Sequence, residues 1–195
     1  MIDFAAMPSP AIHSVTLMRH PESRSGAVRS VGARVCREPG GTLAIRYSIE
    51  GELARLRVPP PRPPRIAHGL WQHTCCECFV ALSGRPEYHE FNLAPSGEWA
   101  AYAFAKYGEG APLADGALNP RIAVRSCAET LELDASIPLD RLSTMHPRRR
   151  LALALSAVVE DERGVLSFWA LKHPPGRPDF HHPDAFALKL DEVRD

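Results

Sequence analysis

The side chains best suited to chemistry are concentrated between Gly69 and Trp99. This stretch contains two of the three tryptophans and three of the five cysteines of the 195-residue chain. Its carboxylates, amide and imidazole can hydrogen-bond a polar ligand, while its indole rings can pack against apolar surfaces of that ligand. The candidate side chains in this stretch are Trp71, His73, Glu77, Glu90, Asn92 and Trp99.

The same stretch predicts two β-strands, over residues 71–82 and 87–94, joined by a turn that contains Gly84 and Pro86. Side chains alternate between the two faces of a strand. The core face is predicted to carry Cys76, Cys78, Val80, Phe91 and Leu93. The opposite face then gathers Glu77, Glu90 and Asn92, and with them Trp71 and His73. Such a face can bind a polar ligand, or it can simply be a solvated outer surface.

The cysteine cluster could in principle bind a metal, but its pattern favours buried thiols. A structural zinc site needs paired Cys-x2–4-Cys modules or matching histidine spacing, whereas Cys75, Cys76 and Cys78 fall on two faces of one strand. Cysteines on such positions pack as small hydrophobic side chains. We therefore predict no metal site.

Catalytic motifs are also missing from the sequence. It contains no Gly-x-Ser-x-Gly elbow, no Walker loop and no dinucleotide fingerprint. Paired carboxylates such as Glu77 and Glu90 could hydrolyse a glycosidic bond, so a sugar-active enzyme remains one alternative. The main expectation is a binding domain that has no catalytic residues.

Composition limits the classes of partner. The formal net charge is zero at pH 7, so no bulk electrostatic attraction to nucleic acid is expected. No apolar run approaches the roughly 20 residues that cross a bilayer, so no membrane partner is expected. The first residues lack the basic segment of a secretory signal, and the cysteine count is odd. These features predict a cytoplasmic protein with reduced thiols.

The rest of the chain shows the two-residue periodicity of strands. A single domain over residues 1–195 is expected, with a poorly ordered start at 1–10 and a proline-rich crossover loop at 59–66. A loop is predicted over 108–119 and a helical turn over 138–142. Many short strands separated by turn residues predict an all-β fold, a two-sheet antiparallel β-sandwich of about ten or more strands, jelly-roll or immunoglobulin-like. The further predicted strands are 12–18, 28–37, 42–50, 52–58, 98–107, 120–126, 128–135, 151–161, 165–172 and 185–191.

Three blocks of sequence resemble the DOMON-like, family 9 carbohydrate-binding-module-type domains, in particular a bacterial single-domain branch. The first block is Leu70-Trp71-Gln72-His73-Thr74-Cys75-x-Glu77-x-Phe79. The second is Tyr88-x-Glu90-Phe91-Asn92-x-x-Pro95-Ser96-Gly97-Glu98-Trp99-x-x-Tyr102. The third begins at Trp169-Ala170-Leu171-x-His173-Pro174 and ends at Phe180-His181-His182-Pro183. Together with the early His20-Pro21 and the predicted strand at Gly51–Val58, the resemblance covers most of the chain.

This resemblance implies a jelly-roll sandwich that binds a sugar or, in other branches, haem. Relatives in the carbohydrate-binding group hold a sugar between tryptophans, with polar side chains on its hydroxyls. Extracellular members commonly carry acidic residues where this chain has Thr74-Cys75-Cys76, so calcium is not expected. No cofactor is predicted, and a haem- or metal-binding domain is the alternative.

We therefore predict a saccharide or a sugar-containing metabolite as the ligand, and the oligomeric state stays open. His173 and His182 either face the ligand or hold the last loop in place. The predicted ligand-binding set is Trp71, His73, Glu77, Glu90, Asn92, Trp99, Trp169, His173 and His182.

Overall fold

The computed structural model describes residues 10–24, 26–114 and 116–193. Most of the start predicted to be poorly ordered, residues 1–9, lies outside the described residues. The described residues form twelve strands, five short 3-10 turns and no α-helix. The strands are β1 (His13–Arg19), β2 (Val28–Glu38), β3 (Thr42–Gly51), β4 (Cys75–Leu82), β5 (Tyr88–Leu93), β6 (Trp99–Lys106), β7 (Glu109–Pro112), β8 (Arg121–Ser126), β9 (Thr130–Pro138), β10 (Leu151–Glu160), β11 (Leu166–Ala170) and β12 (Leu188–Leu190).

The strands form two antiparallel layers, so the predicted β-sandwich is confirmed. The first sheet has the order β1-β2-β3-β9-β8, and the second has the order β7-β6-β5-β4-β10-β11. β12 pairs with the first part of β10, beside the segment that pairs with β11. β1 links the layers at one edge, because His13 to Leu17 pair with β2 while Met18 and Arg19 pair with β11.

Alternation explains which side chains enter the core between the sheets. In β3 the buried positions recur at every second residue, as expected of a strand with one face toward solvent. β10 is buried at all ten positions, which fits its place in the middle of the second sheet. Cys76, Cys78 and Val80 lie in the core with Phe91 and Leu93, as the alternation predicts.

A polar hydrogen bond crosses this core. Tyr47 of β3 is completely buried, and its hydroxyl donates to the backbone oxygen of Glu77 in β4 over 2.6 Å. A buried tyrosine hydroxyl needs such a partner, because an unpaired polar group in the interior is costly. The bond ties the two sheets together directly beneath the face that carries the Glu77 side chain.

Three predicted elements differ from the structure, and the strand predicted from residue 71 begins only at Cys75. The strand predicted over 52–58 is wrong: Leu53–Arg55 is a 3-10 turn, closed by hydrogen bonds from Arg55 N to Glu52 O and from Leu56 N to Leu53 O. Part of the loop predicted over 108–119 is the edge strand β7, which pairs with β6. The last strand is only Leu188–Leu190, because Pro183–Ala185 forms a 3-10 turn instead.

The proline-rich segment 59–65 contains no helix or strand and carries the chain from the first sheet to the second. It is held to the turn before β6 by backbone hydrogen bonds from Arg62 N to Ser96 O and from Trp99 N to Arg65 O. None of the described residues form a helix with the length and apolar character needed to span a bilayer.

Candidate functional site

A cavity of about 550 Å³ lies over the outer face of the second sheet, the face turned away from the core. Its floor comes from the strands and includes Glu77, Glu90, Tyr102, Phe104, Val158 and Phe168. Loops supply the remaining lining, which is Trp71, Tyr107, Gly108 and the segment from Pro178 to His181. Ligand sites are commonly concave and mostly apolar with a few convergent polar groups, and this cavity has that character.

Two carboxyl groups converge on the cavity floor. Glu77 pairs with Asn92 across β4 and β5, and Glu90 pairs with Phe79, so the two glutamates are diagonal neighbours on one face. Their side chains are largely enclosed, with exposures of only 3% and 6%. Each accepts one hydrogen bond from a neutral donor: Ser156 Oγ bonds Glu77 Oε2 over 3.2 Å, and Asn92 Nδ2 bonds Glu90 Oε1 over 2.7 Å.

Burial favours the protonated form of both carboxyls. It raises the pKa of Glu77 well above the ordinary value, and the charge of Glu90 raises it further, against a smaller lowering by Ser156. Burial also raises the pKa of Glu90 to about 7, although the hydrogen bond from Asn92 lowers it. The floor can therefore hold a proton near neutral pH and release it when a positive group approaches.

The segment from Pro178 to His181 covers one side of the cavity and is anchored by polar contacts. The Nδ1 atom of His181 lies 2.9 Å from the hydroxyl of Tyr88, and its Nε2 atom lies 3.7 Å from Glu90 Oε2. The ring packs 5.0 Å from Phe79 and 4.9 Å from Phe104 between ring centres. Burial lowers the pKa of His181, so the imidazole is neutral at neutral pH.

A second anchor of the same segment is Asp179. Its Oδ2 atom accepts a 2.8 Å hydrogen bond from the Tyr107 hydroxyl, and its Oδ1 atom accepts one from the backbone N–H of His181. The carboxylate thereby joins the segment to the loop between β6 and β7 and also fixes the local turn.

Trp71 presents its indole at the cavity although it lies outside the strand predicted for it. It belongs to the 3-10 turn Leu70–Gln72, which follows Gly69 in the left-handed conformation at φ 74°. Its side chain is 51% exposed and lines the cavity. An exposed indole at the opening of a cavity can pack against the flat face of a ligand.

The structure does not bring the other two tryptophans to this cavity. Trp99 and Trp169 are 2% and 4% exposed and belong to the core between the sheets. Trp99 pairs with Leu93, a core residue, so the strand register turns its side chain inward. Trp169 donates its indole N–H to Ser167 Oγ. The ligand-binding role expected for these two side chains does not fit their position.

The predicted histidines also lie outside the cavity lining. His73 Nδ1 is 2.7 Å from Glu160 Oε2, and His73 lines a smaller neighbouring cleft. His173 Nε2 is 2.8 Å from Met18 O, and His182 Nδ1 accepts the backbone N–H of Asp184. The last two therefore hold the loop in place, one of the two roles left open by the sequence.

Asn92 is completely buried and reaches the site through its hydrogen bond to Glu90. It orients the carboxyl and is not itself part of the cavity lining. Trp71, Glu77 and Glu90 are thus the members of the predicted set that line the cavity.

Sequence reasoning missed the aromatic walls of the cavity, although their signal was present. Tyr102 pairs directly with Glu90, and Phe104 pairs with Tyr88, so alternation along the strand predicted over 98–107 places both on the outer face. Tyr107, Phe168 and Phe180 complete the aromatic lining. Their positions depend on how the strands and the covering segment come together.

Within the described part of the chain, no group of three or more His, Cys, Asp or Glu side chains is arranged to hold a metal ion. Cys75 faces Asn92 while Cys76 and Cys78 lie in the core. Burial raises the pKa of all three thiols, which disfavours the thiolate that binds metals.

The cavity residues do not fit haem, which needs an axial ligand whose donor atom is free to face the iron. Among the described lining residues, the side chains that could coordinate haem iron are those of His181, Tyr102 and Tyr107. The His181 ring is engaged by Tyr88 at Nδ1 and faces Glu90 at Nε2. Both tyrosine hydroxyls lie within hydrogen-bonding distance of neighbouring side chains. We therefore derive no role for haem.

No known family profile matches the sequence, and no curated protein is significantly similar to it. Among solved structures, the chain is similar to a suspected carbohydrate-binding protein from Bacteroides uniformis, with a TM-score of 0.63, 14% identity and coverage of 90% of this chain and 83% of that chain. This similarity shows that the two proteins share the fold.

Two further solved structures are of a family 9 carbohydrate-binding module from Caldicellulosiruptor kristjanssonii. The complex with cellotriose has a TM-score of 0.45 and 11% identity, over 77% of this chain and 70% of the other. The complex with glucose has a TM-score of 0.44 and 10% identity, over 82% and 76%.

Proposed function

We propose that this protein binds a saccharide in the cavity on the outer face of its second sheet. The observation that carries the proposal is a cavity of about 550 Å³ whose floor holds two buried carboxyl groups and whose walls are aromatic. A sugar has flat C–H faces that pack against aromatic rings and hydroxyl groups that need hydrogen-bond partners when buried. The cavity offers both kinds of contact.

Each polar and aromatic group has a role in this proposal. Trp71 stacks against the exposed face of the sugar ring, while Glu77 and Glu90 accept hydrogen bonds from its hydroxyls. Asn92 orients Glu90 from behind through the 2.7 Å bond to its Oε1 atom. The similar fold of a suspected carbohydrate-binding protein from Bacteroides uniformis supports the same function.

The test is a titration of the purified protein with mono- and oligosaccharides, in which binding is measured by thermal unfolding and by tryptophan fluorescence. A ligand at 100 times its dissociation constant stabilises the folded state by about 2.7 kcal/mol. Trp71 is the exposed tryptophan, whereas Trp99 and Trp169 are buried. Binding should therefore shift the Trp71 emission toward shorter wavelength as a sugar ring covers the indole.

The Trp71→Ala variant should bind the same saccharide about fivefold more weakly, because an aromatic stacking contact contributes on the order of 1 kcal/mol. The matched control is Met145→Ala, which also removes an exposed apolar side chain but lies outside the cavity lining. Equal affinity in both variants would remove Trp71 from the site. Absence of binding by any saccharide to the folded protein would overturn the proposal.

Glycoside hydrolysis is a second candidate because the carboxyl of Glu90, with a pKa of about 7, shares the cavity with that of Glu77. Such a carboxyl can donate and accept a proton near neutral pH. To test this function, the protein is incubated for a long time with an oligosaccharide that it binds, and the products are analysed by chromatography. Cleavage abolished by Glu90→Gln would establish an enzyme, and intact recovery of the oligosaccharide would leave a binding domain.

A further inference from the structure

The cavity is acidic within a chain of zero net charge. Its described lining contains Glu77, Glu90 and Asp179, and no lysine or arginine. His181 completes the titratable polar lining together with two tyrosines, and burial lowers its pKa. The formal net charge of the whole chain is zero, so this local excess of acidic side chains does not follow from an acidic composition.

Other buried carboxylates of the protein have guanidinium partners, which these two do not. Glu160 and Glu98 are as buried as Glu90, yet Arg57 lies 2.7 Å from Glu160 Oε1 and Arg65 lies 2.6 Å from Glu98 Oε1. Glu77 and Glu90 accept their hydrogen bonds from a hydroxyl and an amide. A buried carboxylate needs a positive partner once it is ionised, and neither Glu77 nor Glu90 has a lysine or arginine partner within the described residues, although His181 Nε2 lies 3.7 Å from Glu90 Oε2. A cation that enters the cavity can supply that partner.

The second Glu77 oxygen is available for that partner. Ser156 bonds Oε2, whereas Oε1 has no hydrogen-bond partner within the described residues, and Glu77 lines the cavity. The side chain is 97% enclosed by the protein, being 3% exposed. A donor that enters the cavity can reach this oxygen without displacing a bond of the protein.

The aromatic walls favour the same kind of ligand. Rings surround the carboxyl pair, and the faces of aromatic rings attract cations through their quadrupole. A cation in this cavity therefore meets favourable groups on its floor and on its walls. The rings are those of Trp71, Tyr102, Phe104, Tyr107, Phe168 and Phe180.

We propose that the ligand is a saccharide with a protonated amino group, whose ammonium is bound by Glu77 and Glu90 among the aromatic rings. This inference rests on the saccharide-binding function proposed above and specifies the chemistry of its ligand. Burial raises the pKa of both carboxyls, so an ammonium that binds beside them displaces their protons.

The experiment compares three β-1,4-linked tetrasaccharides that differ only in the substituent at carbon 2 of each sugar. The glucosamine tetrasaccharide has an ammonium there, the N-acetylglucosamine tetrasaccharide has an acetamide, and the glucose tetrasaccharide has a hydroxyl. Each is titrated into the full chain by calorimetry near neutral pH, at low and at physiological salt. The glucosamine tetrasaccharide should bind at least tenfold more tightly than either neutral one. In Glu77→Gln that preference should fall to within threefold.

Two variants control for charge and for folding. Glu129→Gln removes an exposed carboxylate paired with Arg29, outside the cavity, and should keep the full preference for the ammonium. Glu90→Gln should reduce the preference as Glu77→Gln does, so that the result does not depend on one variant. Thermal unfolding of each variant shows that it is folded before its affinity is compared.

The outcomes separate this inference from the function on which it rests. Neutral tetrasaccharides that bind as tightly as the cationic one would overturn the ammonium site and leave a saccharide-binding protein. A preference that survives both glutamate variants would also overturn it, because the charge would then be recognised elsewhere. Binding of none of the three to the folded chain would overturn both proposals for this class of sugar.

Discussion

At the scale of single residues, the carboxyl of Glu90 makes the stability of the protein depend on pH. Its pKa is raised from 4.5 to about 7 in the folded chain, so between these values the folded state holds a proton that the unfolded state has lost. The stabilising contribution is complete below the unfolded pKa and is lost as pH rises through the folded pKa. The shift corresponds to about 3 kcal/mol of unfolding free energy.

Denaturant unfolding of the wild type and of Glu90→Gln between about pH 4 and pH 8 measures this contribution. The amide mimics the protonated carboxyl, so the two proteins should have similar stability at the acid end and the variant should be more stable by about 3 kcal/mol at the alkaline end. Groups that do not contact Glu90, such as His146, titrate in both proteins and cancel in the difference. A difference that stays constant with pH would contradict the prediction.

Alternation along strands predicts the position of these carboxyls but not of every aromatic ring. Glu77 and Glu90 are assigned to the outer face from sequence because their neighbours Cys76, Cys78 and Phe91 are core residues. Trp99 is predicted to contact the ligand because of its side-chain type. In the structure its pairing with Leu93 places it in the core. Residue type identifies the chemistry available, and register decides which face receives it.

At the scale of elements, the strands are predicted well where apolar residues alternate and poorly where the chain leaves the sheet. The short turns Leu53–Arg55 and Pro183–Ala185 contain residues that are compatible with several conformations, and local hydrogen bonds select the turn. The segment from Pro178 to His181 shows no periodic pattern at all. Its position over the sheet depends on tertiary contacts, which a local sequence pattern does not encode.

Asp179 should determine how firmly this covering segment is held. The Asp179→Ala variant removes the acceptor of the Tyr107 hydroxyl and of the His181 backbone N–H. We expect a loss of about 1 kcal/mol in unfolding free energy, weaker saccharide binding through faster dissociation, and faster proteolysis between residues 173 and 187. Stopped-flow titration and limited proteolysis measure these changes.

Asp184→Ala is the matched control for this variant. Asp184 belongs to the same region and pairs with Lys172 over 3.2 Å, but both side chains are exposed and neither lines the cavity. Exposed ion pairs contribute little to stability, so the control should dissociate from the saccharide and be cleaved at wild-type rates. Equal behaviour of the two variants would show that Asp179 does not hold the segment over the cavity.

At the scale of the whole molecule, the two faces of the second sheet have different structural roles. One face packs on the first sheet and supplies the core, while the other carries the carboxyl pair and the aromatic walls. Because β4 contributes to both faces, its core residues hold the strand while Glu77 on the other face lines the cavity. The candidate site is therefore built largely on strands, which position side chains more precisely than loops do.

Tyr47→Phe tests whether stability and binding are separable in this arrangement. The variant removes the hydroxyl that bonds Glu77 O over 2.6 Å, so it should lower the unfolding free energy by about 1 kcal/mol and the melting temperature by roughly 2–4 °C. Glu77 is still held by pairing with both β5 and β10, so saccharide affinity should stay within about twofold of wild type.

Calorimetric unfolding and saccharide titration of the same Tyr47→Phe sample measure the two quantities together. Tyr47→Leu is the comparison, because it also leaves a void in the core and should destabilise by more than the loss of a hydroxyl alone. A large loss of affinity in Tyr47→Phe would mean that the sandwich core positions the Glu77 carboxyl directly. Unchanged affinity in both variants would show that the pairing of β4 with β5 and β10 is sufficient to position it.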